Sequence, residues 1–130
     1  MPLVSIHVIR DQRSPSELRN LADVIHHCIL ENFNAPLGDR YQVITQHQPN
    51  ELIIEDTGLN IPRTDKIVLL QIYQQGRETK VKQQLFEALA RELNGKCGLK
   101  GSDLVVSLVA NSKEDWSFGY GKAQFLTGEL

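Results

Sequence analysis

The segment KIVLLQIY, residues 66–73, is apolar on both of its alternations: Ile67 and Leu69 fall on one side, and Val68, Leu70 and Ile72 on the other. Side chains along a strand point to opposite faces of the sheet in turn, so such a strand needs apolar cover on both faces. DLVVSLVA, residues 103–110, behaves the same way, while LVSIHVIR, residues 3–10, reads as a strand with Val4, Ile6 and Val8 on one face. What can supply two-sided cover depends on what lies between these strands.

Between them the periodicity changes from two to 3.6. Ser14 is a candidate N-cap, Pro15 occupies the first helical position and Glu17 completes a capping box. Leu18, Leu21, Ala22, Ile25 and Ile29 then recur at helical spacing and carry the helix to about Phe33. Residues 34–38 break it, extended chain resumes at 41–46 and continues at 52–55, and TGLNIPRTD, residues 57–65, forms a loop. The second half repeats the plan: a strand at 66–73, a turn at 74–78 and a helix from about Thr79 to Leu93 carrying Leu85, Phe86, Leu89 and Leu93 on one face. Asn94–Gly95 supplies a stop signal, and a strand follows at 104–110. Shifting the first half by about 63 residues in the strands and 64 in the helix puts Val4 on Ile67, Leu21 on Leu85, Ile25 on Leu89 and Ile29 on Leu93.

The reading is one α/β (α+β) domain spanning residues 1–130, built from two β-α-β units at about 2–56 and 66–110, with a docking tail at 111–130. Right-handed crossovers lay both helices on one face of a four-stranded mixed sheet. The other face needs neighbouring subunits, so the chain is expected to form a closed oligomer.

Composition removes several function classes. Net charge is −2, from 14 basic and 16 acidic residues, with no Lys/Arg run long enough to follow a phosphate backbone, so no nucleic-acid partner is expected. No stretch approaches the roughly 20 apolar residues of a membrane span, and MPLVSIHVIR lacks the charged and apolar regions of a signal peptide. Cys28 and Cys97 lie in no metal or redox spacing and are expected as free thiols in a reducing cytoplasm. His7, His26, His27 and His47 form no zinc signature, and there is no GxSxG, Walker or GxGxxG motif. Neither metal nor cofactor is expected. The tail DWSFGYGKAQFLTGEL, residues 115–130, holds Trp116, Phe118, Tyr120 and Phe125, four of the chain's eight aromatic residues. Such a tail docks, either across a sheet or along a pocket.

Several stretches taken together resemble the tautomerase superfamily, and within it the malonate semialdehyde decarboxylase group. They are the MP start, the capped first helix, GDRYQVI (38–44), IIEDTGLNI (53–61), GRET (76–79) and VSLVANSKEDWSFGYGKAQFLTGEL (106–130). The resemblance implies a β-α-β repeat fold, a homotrimer, and an amino-terminal proline, here Pro2 exposed by loss of Met1. A terminal proline carries a secondary amine on a rigid ring, and ordinary terminal amines titrate near ~8. Nearby cations and desolvation lower that value and a carboxylate raises it, so the group serves as base or acid near neutrality. By position, Asp39 matches the acidic residue that positions or activates the proline and a water. Arg77 matches an arginine that clamps the substrate carboxylate, a task suited to a bidentate guanidinium. Trp116, Phe118, Phe125 and Leu130 match an apolar pocket wall.

One position departs from the family pattern. The decarboxylases carry two arginines separated by one residue, whereas here Gln75 precedes Gly76 and Arg77. An amide can hydrogen-bond a carboxylate but brings no charge, so one stabiliser of a developing enolate is missing. The resemblance therefore implies a cofactor-free isomerase or lyase acting on a small oxo-acid, with decarboxylation and keto–enol tautomerisation both open and hydration as a side activity. The contrasting reading is a non-catalytic ligand-binding or assembly protein on the same fold.

Overall fold

The computed structural model describes residues 2–130. Seven main elements follow in order: β1 (Leu3–Ile9), α1 (Pro15–Phe33), β2 (Tyr41–His47), β3 (Val68–Gln75), α2 (Thr79–Cys97), β4 (Leu104–Asn111) and the short α3 (Gln124–Thr127). Single 3-10 turns precede and follow β4, at Gly101–Asp103 and Lys113–Asp115. The four strands form one sheet in the order β2-β1-β3-β4. β1 runs parallel to β2, β3 parallel to β4, and the two pairs meet antiparallel at β1–β3. This is the four-stranded mixed sheet expected from two β-α-β units. The internal repeat is closer than the letters imply: α1 shifted by 64 residues lands end to end on α2.

The topology sets where chemistry can gather. Register pairs Leu3 with both Tyr41 and Tyr73, and Gln75 with Asn111. The starts of β1 and β2 therefore share one end of the sheet with the finishes of β3 and β4. α1 returns to that end at Phe33 and α2 departs from it at Thr79. Every residue singled out from the sequence belongs to a segment that starts or finishes there.

Both long helices cover one face. Val4, Ile6 and Val8 of β1 and Val68, Leu70 and Ile72 of β3 are buried against Leu21, Ile25 and Ile29 of α1 and Leu85, Leu89 and Leu93 of α2. Fully burying such a side chain contributes roughly 1.5–3 kcal/mol. The capping box at Ser14 is present in full, with Glu17 N–H donating to the Ser14 hydroxyl at 3.2 Å and Ser14 N–H to the Glu17 carboxylate at 2.9 Å. On the other face lie Leu3, Ser5, His7, Leu69, Gln71, Tyr73, Val105, Ser107 and Val109, none of them buried. This face is more mixed than residues 66–73 imply, because register aligns Ser5, Gln71 and Ser107 as a polar row across it. A hydrogen-bonded chain runs beside the row: His7 Nδ1 lies 2.8 Å from His47 Nε2, and His7 Nε2 lies 3.2 Å from Gln71 Oε1.

Four local expectations are corrected. α2 passes through Asn94–Gly95 and stops at Gly98, whose left-handed φ of 67° lets its N–H and that of Leu99 close on the last turn. β3 extends to Gln75, so Gln74 and Gln75 belong to the strand rather than to a turn. Residues 52–55 are not a strand: the Glu55 carbonyl accepts from Arg63 Nε at 3.1 Å, and Arg63 Nη1 donates to the Ser102 carbonyl at 2.7 Å. Phe86 is 38% exposed, because Leu85 takes the core position and the next residue turns toward the helix edge.

Candidate active site

Pro2 directly precedes β1 and is buried. Its position in the strand alternation is that of Val4 and Ile6, so it faces the helices. Asp39 reaches the same end by a different route. α1 ends at Asn34, which is left-handed at φ 51°, and Gly38 at φ 84° turns the chain once more. The next residue, Asp39, closes this turn with its N–H on the Pro36 carbonyl at 3.2 Å. Asp39 is only 6% exposed. Burial pushes its carboxyl above the usual carboxylate range, against the opposing pull of the positive charge at the amino terminus and of His26. The adjacent cation, Arg40, bonds Asp23 at 2.7 Å and Gln42 at 2.8 Å instead.

Gln75 closes β3, and Arg77 occupies the link to α2. The Arg77 guanidinium lies 4.8 Å from the ring centre of Phe33 at the end of α1, and its Nη1 donates to the Gln75 carbonyl at 2.8 Å. Among the described residues no partner is recorded for Nε or Nη2, so one bidentate edge of the fork is available. Gln75 pairs in register with Asn111, whose side-chain oxygen accepts from Trp116 Nε1 at 2.9 Å.

From Trp116 the tail crosses this end of the sheet from β4 toward β2. Trp116 stacks on Phe118 at 5.4 Å, Phe125 meets Phe118 edge-on at 5.5 Å, and Phe118 stacks on Tyr41 of β2 at 5.8 Å. Buried Gln124 anchors the crossing by accepting from Phe118 N–H and donating to the Gly119 carbonyl, both at 2.9 Å. A recess of about 340 Å³ lies beneath, lined among others by Leu37, Asp39, Tyr41, Phe118 and Leu130.

Of the residues named from sequence, Asp39, Phe118 and Leu130 line this recess, and Trp116 and Phe125 reach it through ring contacts. Gln75 and Arg77 stand at the same sheet end but do not line it. Sequence reasoning missed the site roles of Phe33 and Tyr41, which read as ordinary core and strand residues, and of Gln124, whose only signal was an amide inside an aromatic tail. His27 is exposed. Among the described residues no cluster of three or more His, Cys, Asp or Glu could hold a metal ion, and no helix is long and apolar enough to cross a membrane.

Comparison with known proteins bears on the fold and the family. A family model described as tautomerase enzyme matches residues 39–119, and a second with the same description matches residues 2–61. The probable tautomerase YrdN of Bacillus subtilis (strain 168) is 45% identical over 130 residues, covering 100% of both chains. A crystal structure of malonate semialdehyde decarboxylase, described with decarboxylase and hydratase activities, is 38% identical over 98% of each chain with a TM-score of 0.95. A fused 4-OT symmetric trimer shares the fold at a TM-score of 0.77 and 19% identity, over 97% of this chain and 98% of the other. The chain belongs to the tautomerase superfamily.

Proposed function

We propose that this chain is a single-domain enzyme for small oxo-carboxylates, using Pro2, once Met1 is removed, as its acid/base. The observation that carries the reading is convergence. A buried proline, a buried carboxyl with a raised pKa, a guanidinium with a free bidentate edge and an aromatic wall all come to one sheet end.

Arg77 offers Nε and Nη2 to the substrate carboxylate, while Phe33 and the Gln75 carbonyl hold the guanidinium in place. In the tautomerase form, neutral Pro2 takes a proton from one end of the enol–keto system and returns it at the other. In the decarboxylase form, the Pro2 cation polarises a 3-oxo group, and carbon dioxide departs where Trp116, Phe118, Phe125 and Leu130 exclude water. Gln75 supplies at most a neutral hydrogen bond, so both forms act without the second cation that would stabilise a developing enolate. Asp39, its carboxyl raised above the usual range by burial, positions the amine and a water. The helix-free face packs against two further copies in a homotrimer, the assembly of the fused 4-OT neighbour. The free thiols Cys28 and Cys97 fit a reducing cytoplasm.

The test is a panel of 2-oxo and 3-oxo acids against protein whose intact mass shows Met1 removed. Pro2→Ala should lower turnover by about 10²–10⁴, the usual contribution of a positioned acid/base, with melting temperature unchanged. Full turnover in the folded, processed variant would place the chemistry elsewhere. No turnover of any acid by the wild type would leave a binding or assembly protein.

A further inference from the structure

Gln74 is the one core position in β3 filled by a polar residue. It follows Val68, Leu70 and Ile72 on the helix-facing alternation and, like Leu70 and Ile72, is 0% exposed. Among the described residues neither its amide nitrogen nor its carbonyl oxygen has a hydrogen-bond partner. Burying a carboxamide with both ends unpaired is costly, and a leucine of similar size would avoid that penalty. Such an orphan calls for a partner supplied by another state of the molecule.

Register identifies the partner. β1 and β3 are antiparallel, with Val4 opposite Ile72 and Leu3 opposite Tyr73. Continued by one residue, the ladder sets Pro2 opposite Gln74, and the alternation puts both on the helix side. Side chains directly opposite in such a pair have Cβ atoms about 4.5–5.5 Å apart, well within reach of a glutamine amide. As an internal residue, Pro2 has no N–H to offer. As a terminal residue, its ring nitrogen carries one N–H when neutral and two when protonated.

We propose that Gln74 is a positioning residue for the Pro2 amine: its carbonyl oxygen accepts one N–H of the processed terminus. This rests on the reading of Pro2 above. In the neutral amine the bond fixes the ring nitrogen so that the lone pair faces away from Gln74. In the ammonium it holds one proton and leaves the second for the substrate. Because a hydrogen bond is stronger from a charged donor, Gln74 favours the protonated form. An arginine in place of Gln75 would push the other way, toward the neutral amine.

The experiment is a pH titration of the Pro2 ring nitrogen by NMR in processed protein labelled with 15N-proline. The chain has five prolines, of which only the terminal one has a titrating nitrogen. Gln74→Leu should lower the titration midpoint by about one pH unit, equivalent to about 1.4 kcal/mol, and move the acid limb of kcat/KM equally, with KM for the carboxylate little changed. Gln74→Glu should raise the midpoint, because a carboxylate favours the ammonium more strongly than an amide does. Gln74→Met provides a second apolar variant should the leucine fail to fold. A folded apolar variant with the wild-type midpoint overturns the proposal, as does a wild-type ring nitrogen that does not titrate. The readout is independent of turnover. Pro2→Ala retaining full activity would remove the catalytic reading while the midpoint shift still decides the role of Gln74.

Discussion

The two ends of the sheet are built by the same repeat and have diverged. The 64-residue shift that superposes α1 on α2 also carries Arg13 onto Arg77 and Phe33 onto Cys97. At the first end, Arg77 lies over Phe33 and donates to the carbonyl of Gln75. At the far end, Arg13 donates to the Lys66 carbonyl at 2.7 Å and shares a cavity of about 330 Å³ with Cys97, Lys66 and Lys96. The backbone plan is preserved, but the surroundings are not. Both ends hold a buried carboxyl, Asp39 at the first and Asp103 at the far end, where the Thr64 N–H donates to it at 2.7 Å. Only the first end carries an aromatic lid; among the described residues the far cavity is lined by Arg13, Lys66, Lys96 and Glu17, among others, and by no ring. An arginine at this corner of the repeat is thus a property of the fold. What makes it a candidate clamp is Phe33 beneath it and the tail beyond.

The sharpest way to break this comparison is to remove each arginine in turn. Arg77→Ala should cost about 1.5–3 kcal/mol, the range for hydrogen bonds to charged groups, or at least tenfold in kcat/KM. Arg13→Ala should lower the melting temperature and leave kcat/KM intact. Equal losses of activity would mean that the arginines act through the fold. Gln75→Arg restores the decarboxylase pattern and adds a second cation near the amine. It should increase carbon dioxide release from malonate semialdehyde and reduce enol–keto conversion. If the wild type already releases carbon dioxide as fast, Gln75 is no barrier to decarboxylation.

Asp39→Asn separates stability from activity. Burial raises the Asp39 pKa, so ionisation is less favourable in the folded chain than in the unfolded one. Wild-type stability should then fall as pH rises from the ordinary carboxylate range through the raised value, and the asparagine variant should lack that fall. Denaturant midpoints should differ more at pH 8 than at pH 4, in favour of asparagine, while turnover drops. The smallest effect compares the two helix starts. Ser14→Ala removes a complete capping box and should cost about 1 kcal/mol. Glu78 makes no side-chain cap bond, so Glu78→Ala should cost almost nothing by thermal melting.

Much of the fold was legible because it rests on local periodicity and caps. The Ser14–Glu17 box and the spacing of Leu85, Leu89 and Leu93 encode their elements directly. The site was legible differently. Pro2, Asp39, Arg77 and the tail aromatics stood out through a resemblance, since no short-range pattern marks residues that meet only when strands pair. What stayed hidden depends on tertiary context. Gly95 looks like a helix stop, yet the αL position falls three residues later at Gly98, where Leu99 can bury. Gln74 reads as one amide in a Gln-Gln pair until the β1–β3 register, continued one residue beyond Leu3 and Tyr73, brings it opposite Pro2.

The central placement of β1 also imposes an order of events in time. β1 is paired on both edges, by Tyr41–His47 and by residues up to Tyr73, and Pro2 is buried beside it. The role proposed for Pro2 needs Met1 cut away, and until these pairings form β1 is an open chain end. On a ribosome adding about 5–20 residues per second, the last pairing partner of β1 emerges roughly 4–15 s after β1 itself. Chains trimmed within that interval fold with Pro2 already at their terminus, set beside a strand that is paired on both edges.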